Sequence, residues 1–194
     1  MDTVLQQRLR LAHHRGQLTD PQGLAVATQI LIALEAALKL AFAVTLQTGG
    51  PLLFPVARLQ MPALLAAGVT FLVWFRRCQA NAHAFAPERL TFTPGMAVAT
   101  WFIPFLGLWQ PRRASLDLAQ ATGIHRTRLI NAWWTAWLTK LLGVPVLAIT
   151  FALADYRGSA TPWLALANTG TATLALLVIG RITKAQRTLL TSHE

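Results

Sequence analysis

Positive charge in this sequence stops where its apolar blocks begin, and that division limits the chain to a bundle of membrane-crossing helices. Between Leu24 and Leu46 the strongly polar residues are Gln29, Glu35 and Lys39, and further apolar blocks run over about 58–76, 129–154 and 161–181. A helix needs roughly 20 apolar residues to cross ~30 Å of hydrocarbon, where a backbone amide finds no partner outside its own helix. Of the 194 residues, 12% are charged, against about 25% in a soluble domain; that is too few to cover a water-facing surface. The expected fold class is all-α, an integral membrane helical bundle with four spanning helices over 24–46, 58–76, 129–154 and 161–181.

A fifth apolar stretch resists that scheme. About fifteen residues separate Gly95 from Gln110, with Pro104 and Gly107 between them, so the segment is short for a crossing. The positive-inside rule decides its path, because short cytoplasmic loops collect Lys and Arg. If 95–110 dips in and returns, the cytoplasmic side holds thirteen of the 17 positive residues: Arg8, Arg10, Arg15, Arg76, Arg77, Arg89, Arg112, Arg113, Arg126, Arg128, Arg181, Lys184 and Arg187. Arg58 and Arg157 then fall outside, while Lys39 and Lys140 lie within spans. If the stretch crosses, the split becomes seven inside against eight outside, which is no bias. The expectation is a Pro-interrupted re-entrant or interfacial helical hairpin at 95–110, an interfacial helix over 111–123, and both termini in the cytoplasm.

On this reading residues 1–20 are a basic cytoplasmic tail, either a surface helix or a solvated segment, and 21–190 a single helical membrane domain. Thr19-Asp20-Pro21 supplies a capping side chain and a proline for the first helical position. Thr48-Gly49-Gly50-Pro51 ends the first span, a polar loop is expected over Gln79–Arg89, and Asp155–Ser159 makes a turn. The N-terminus lacks the apolar core of a signal peptide, so the first block is expected to stay as an anchor. The net charge of +10 sits at the block ends, which points to a bilayer with an anionic cytoplasmic leaflet as partner and to no nucleic acid. Cys78 is the only cysteine, so an intrachain disulfide and multi-cysteine zinc sites are excluded.

The polar residues inside the spans are the candidate functional groups. Glu35 and Lys39 stand four apart on one helix face. At 1.5 Å per residue, Glu35 lies about 16 Å along its helix from Leu24, and Lys140 a similar distance from Leu129. A Glu35–Lys140 contact between helices is therefore geometrically allowed. With Asn131 these residues form a candidate intramembrane polar site: an ion pair that fixes helix register, or a relay or substrate site. Trp133, Trp134 and Trp137 are expected in an interfacial belt, and Asn168 with its neighbouring threonines in helix packing. No catalytic, cofactor or metal constellation emerges. His13-His14 lack a further ligand, His83 and His125 lack a paired acid, and Ser115 and Ser159 lack a nucleophile motif.

One series of residues goes further. Trp74, Arg77 and Asn81 precede Phe92-Thr93-Pro94-Gly95, then Trp101-Phe102-Ile103-Pro104, Trp109-Gln110-Pro111, and Trp133-Trp134 with Trp137. This order resembles the bacterial membrane family called domain of unknown function 4328, over about residues 52–190. The resemblance implies a small bacterial membrane protein and brings no activity with it. It also implies an asparagine three residues after the mid-segment proline, where this chain has Gly107. The resulting expectation is a non-enzymatic scaffold or partner-binding subunit of the bacterial cytoplasmic (inner) membrane, associating with a second copy or a membrane partner protein. A small oligomeric channel or transporter using Glu35, Lys39 and Lys140 is the alternative, and a membrane-embedded enzyme the third.

Overall fold

The structure, a computed structural model, describes residues 3–16, 18–153 and 161–191. Every regular element among them is helical. Among the described residues three helices are long and apolar enough to cross a membrane: α2 (Gln22–Thr48), α3 (Leu53–Phe85) and α8 (Thr161–Thr191). Of these, α2 and α3 turn Ile30, Val44, Leu65 and Val69 outward, each more than half exposed. An apolar outer face of this extent suits acyl chains better than water.

Short-range chemistry sets the ends of α2. Pro21 is the N-cap of the helix instead of its first residue, and the Asp20 carboxylate, one position earlier, accepts the Gln22 N–H at 2.9 Å. Gly49, at φ 64°, closes the other end by donating its N–H to Thr45 O; glycine adopts that left-handed conformation without steric cost.

Two helices outrun their apolar blocks. The sequence predicts a span over 58–76 and a polar loop over 79–89; instead α3 begins at Leu53, carries Pro62 inside, and continues to Phe85. Its final turns bury Cys78, Gln79, Asn81 and Phe85, so packing partners hold helical a stretch that hydropathy alone assigns to a loop. A short 3-10 turn over Pro87–Arg89 follows. Likewise α8 runs past Arg181 to Thr191. The chain's first helix, α1 (Thr3–His14), packs on α3 with Leu9 and Ala12 buried, so it is neither a solvated tail nor a detached surface helix.

The block at 129–154 is helical throughout its described part but irregular. α6 (Arg128–Leu138) passes through a π turn, Thr139–Gly143, into α7 (Val144–Leu153). Pro145 has no N–H to give, and its ring crowds the carbonyl four residues earlier; the wider turn absorbs both. Ala154 and the expected turn at 155–159 lie outside the described residues.

The short apolar stretch folds as α4 (Pro94–Ala99) followed by turns through Pro104 and a 3-10 turn at Leu106–Leu108. Thr93 Oγ1 caps α4 by accepting the Met96 N–H at 3.3 Å. Phe105 sits at φ 62°, the one positive φ at a non-glycine position among the described residues. The flanks of the stretch meet: Arg89 donates to Gln120 O at 3.1 Å, and the Thr91 N–H donates to the Asp117 carboxylate at 3.2 Å. α5 (Gln110–Ala121) is no free interfacial helix, since Ala114, Ser115, Leu118 and Ala119 are buried. In the assembled bundle α2 lies between α3 and α8, α6 lies on α8, and α4 packs on α3.

Candidate functional site

Polar groups from α2, the π turn and α8 converge on one point. The Glu35 carboxylate pairs with the Lys39 ammonium one turn along α2. Asn168 Oδ1 on α8 accepts from Lys39 Nζ at 3.2 Å and from Lys140 Nζ at 3.0 Å. Lys140 therefore joins the ion pair through Asn168 and does not hydrogen-bond Glu35 itself. Glu35 is 7% exposed and Asn168 4%. Two ammonium groups against one carboxylate leave the cluster with one excess positive charge. An ammonium carries three donors, and among the described residues no carboxylate pairs with Lys140. The Asn168 Nδ2 group has no partner either.

Of the sequence-predicted polar residues, Asn131 goes elsewhere. Its Oδ1 accepts from Arg112 Nε at 3.1 Å and ties α6 to α5. Asn168, expected only to pack, takes the central place. The sequence carried a signal for it, an amide in an apolar span, but Asn131 carried the same one. By contrast Thr169, Thr171 and Thr173 each donate their hydroxyl to the carbonyl four residues back in α8, as packing residues in apolar helices do.

Beside the cluster lies an open cavity of about 330 Å3. Glu35, Lys140 and Asn168 stand at its polar end, and Phe71, Trp101, Phe102, Trp133 and Trp137 wall much of the rest. The tryptophans correct the belt expectation: Trp133 and Trp134 are 4% and 3% exposed. Trp101 is the keystone, with ring centroids 5.3 Å from Phe71, 5.8 Å from Trp134 and 5.8 Å from Trp137. It thereby fills the gap between α3 and α6. Trp134 Nε1 donates to Leu108 O at 3.2 Å, while the buried Trp101 Nε1 has no partner among the described residues.

The motif residues fall into two groups. Pro94 and Gly95 open α4, Pro104 turns the chain, Trp109 stays exposed, and Pro111 is buried in the first turn of α5. At Gly107 a Cβ would stand in ordinary contact with the backbone, 3.4 Å from Thr100 O and 3.5 Å from Trp101 O, so the turn does not itself exclude a side chain there. At the far end Asn81 clamps three segments. Its Oδ1 accepts the Thr19 N–H at 3.1 Å, and its Nδ2 donates to Thr19 O at 2.8 Å and to Gln186 Oε1 at 3.2 Å. Gln186 Nε2 in turn donates to Cys78 O at 2.8 Å. Arg77 beside it is half-buried. His13, His14 and His125 are exposed, and no group of three His, Cys, Asp or Glu side chains among the described residues is placed to hold a metal ion.

No curated protein and no solved structure matches the chain. A family model described as "Domain of unknown function (DUF4328)" matches residues 43–184.

Proposed function

We propose that this chain, which belongs to the DUF4328 family, is a multi-pass membrane protein that binds a small molecule inside the bilayer without transforming it. The open cavity that reaches Glu35, Lys140 and Asn168 carries this reading. A scaffold needs only a filled core, whereas here apolar walls end in unsatisfied polar groups, as small-molecule sites do. The reading departs from the scaffold or partner-binding subunit expected from the sequence and assigns no catalytic step. Transport is the second reading, favoured by the charged cluster at the cavity's end; flux of a bound solute into liposomes is its test.

Bromobenzene quenching of tryptophan fluorescence in nanodiscs tests the cavity itself. A Cβ built on Gly68, which stands in the cavity wall, meets nothing within 4 Å, so Gly68→Leu is expected to extend into the space from an unobstructed first carbon. Wild type is expected to show a saturable quenching component that Gly68→Leu lacks. Identical, non-saturating quenching in both proteins would instead favour a closed scaffold.

The same proposal places four crossings in the bacterial cytoplasmic membrane, with 95–110 re-entrant and both termini cytoplasmic. The Arg89–Gln120 and Thr91–Asp117 bonds support it, because they join the residues that precede the short stretch to those that follow it. The excess of cytoplasmic arginine points the same way. Cys78 is 0% exposed, so the native thiol forms a silent background. An impermeant maleimide on intact cells is expected to label Gln47→Cys and to spare Gln120→Cys until the membrane is permeabilised. Labelling of both from outside would remove the re-entrant arrangement.

A further inference from the structure

The cavity's chemistry narrows what it takes, and this step rests on the binding reading above. At its polar end stand Lys140, Glu35, Asn168 and Thr171. The carboxylate of Glu35 is already engaged by Lys39, and Thr171 spends its proton on Ala167 O. Beside them the Lys140 ammonium hydrogen-bonds only Asn168 Oδ1 among the described residues, which leaves two of its three donors free, and the buried Asn168 Nδ2 amide has no partner there. Two ammonium groups against one carboxylate leave one uncompensated positive charge, which selects an anion or strong acceptor over a cation or a plain hydrocarbon.

The remainder of the cavity is apolar and laterally open. Its wall includes Leu64 and Phe102, which are 47% and 70% exposed, so the opening lies on an apolar outer face. A volume of about 330 Å3 is at the small end of the ~300–1,000 Å3 typical of small-molecule sites, too little for a two-chain lipid. We infer that the site between α2, α3, α6 and α8 binds a small anionic amphiphile, its anionic head at Lys140 and Asn168 and its apolar body along Phe71, Trp101 and Trp137. The molecule enters sideways from the acyl-chain region. Bound there, its charge offsets the second lysine, so occupancy also stabilises the bundle by mass action.

The test uses radiolabelled decanoate with the full-length protein in nanodiscs, empty nanodiscs serving as background. Saturable binding near one decanoate per protein is expected. Decanol and decyltrimethylammonium, which share the chain but not the charge, should compete at least about tenfold more weakly, one good charge-assisted contact being worth that factor. Lys140→Gln should weaken decanoate about tenfold and Lys140→Arg should retain it. Gly68→Leu, which leaves the polar end intact, should abolish binding while keeping the thermal midpoint. Equal competition by decanol, or undiminished binding in Gly68→Leu, would overturn the assignment. Absence of saturable decanoate binding alongside saturable bromobenzene quenching would reject the anionic ligand and leave the cavity reading standing; absence of both would remove the two together.

Discussion

Replacing Asn168 by leucine is expected to lower stability by about 2–3 kcal/mol, measured as the unfolding midpoint in mixed micelles. The substitution removes the one acceptor that Lys39 and Lys140 share. A lone charge at the centre of a membrane helix costs at least ~2.5 kcal/mol on insertion scales. Breaking a buried charged contact in a soluble protein costs about 3–5 kcal/mol. Because side chains unfolded within a membrane find other partners, the lower part of that range applies. Asn168→Asp keeps the acceptor and cancels the excess charge, so it should match or exceed wild-type stability. Lys140→Met should cost much less in the leucine background than in wild type, since the two residues act through one bond. A leucine variant within about 0.5 kcal/mol of wild type would mean that the lysines are satisfied independently of Asn168.

Trp101→Ala should cost about 3 kcal/mol and loosen the segment it anchors. Truncating a buried Phe or Trp in a water-soluble core costs roughly 3–5 kcal/mol, part of it transfer to water and part the cavity left behind. Between helices in a bilayer the transfer part shrinks, and lost dispersion contacts dominate. Trp101 meets Phe71 and Phe75 on α3 and Trp133, Trp134 and Trp137 on α6, with each good aromatic pair adding about 0.5–1.5 kcal/mol. Hydrogen exchange across 94–109 should accelerate in the alanine variant and much less in Trp101→Phe. Unchanged exchange there would show that Thr93, Gly107 and Leu108 hold the hairpin without the indole.

Much of this architecture was legible before any coordinates. Leu24–Leu46 reads as a helix because few side chains interrupt it, and Gly49 reads as its end because only glycine takes φ 64° cheaply. The spacing of Glu35 and Lys39 announces their pairing, since four residues is one helical turn. The helix ends were harder. Gln79, Asn81 and Gln186 look like loop or surface residues in a hydropathy trace, yet all three are buried and hydrogen-bonded. Their hydrogen-bond partners lie between 35 and 108 positions away, and no local window contains those.

Local sequence is enough to read the material: an all-helical chain, the positions of its long apolar helices, and the family it belongs to. These follow from local quantities, namely hydropathy per turn, the separation of Pro and Gly, and an ordered set of Pro and Trp residues. Which faces meet is a property of the assembled bundle. It chose Asn168 over Asn131 for the two lysines, carried the tryptophans from an expected belt into the core, and left an open cavity where a filled bundle was equally consistent with the sequence. The reason is geometric. A helix carries its side chains in every direction around its axis, and the rotation that selects one face is set by its partners in the bundle.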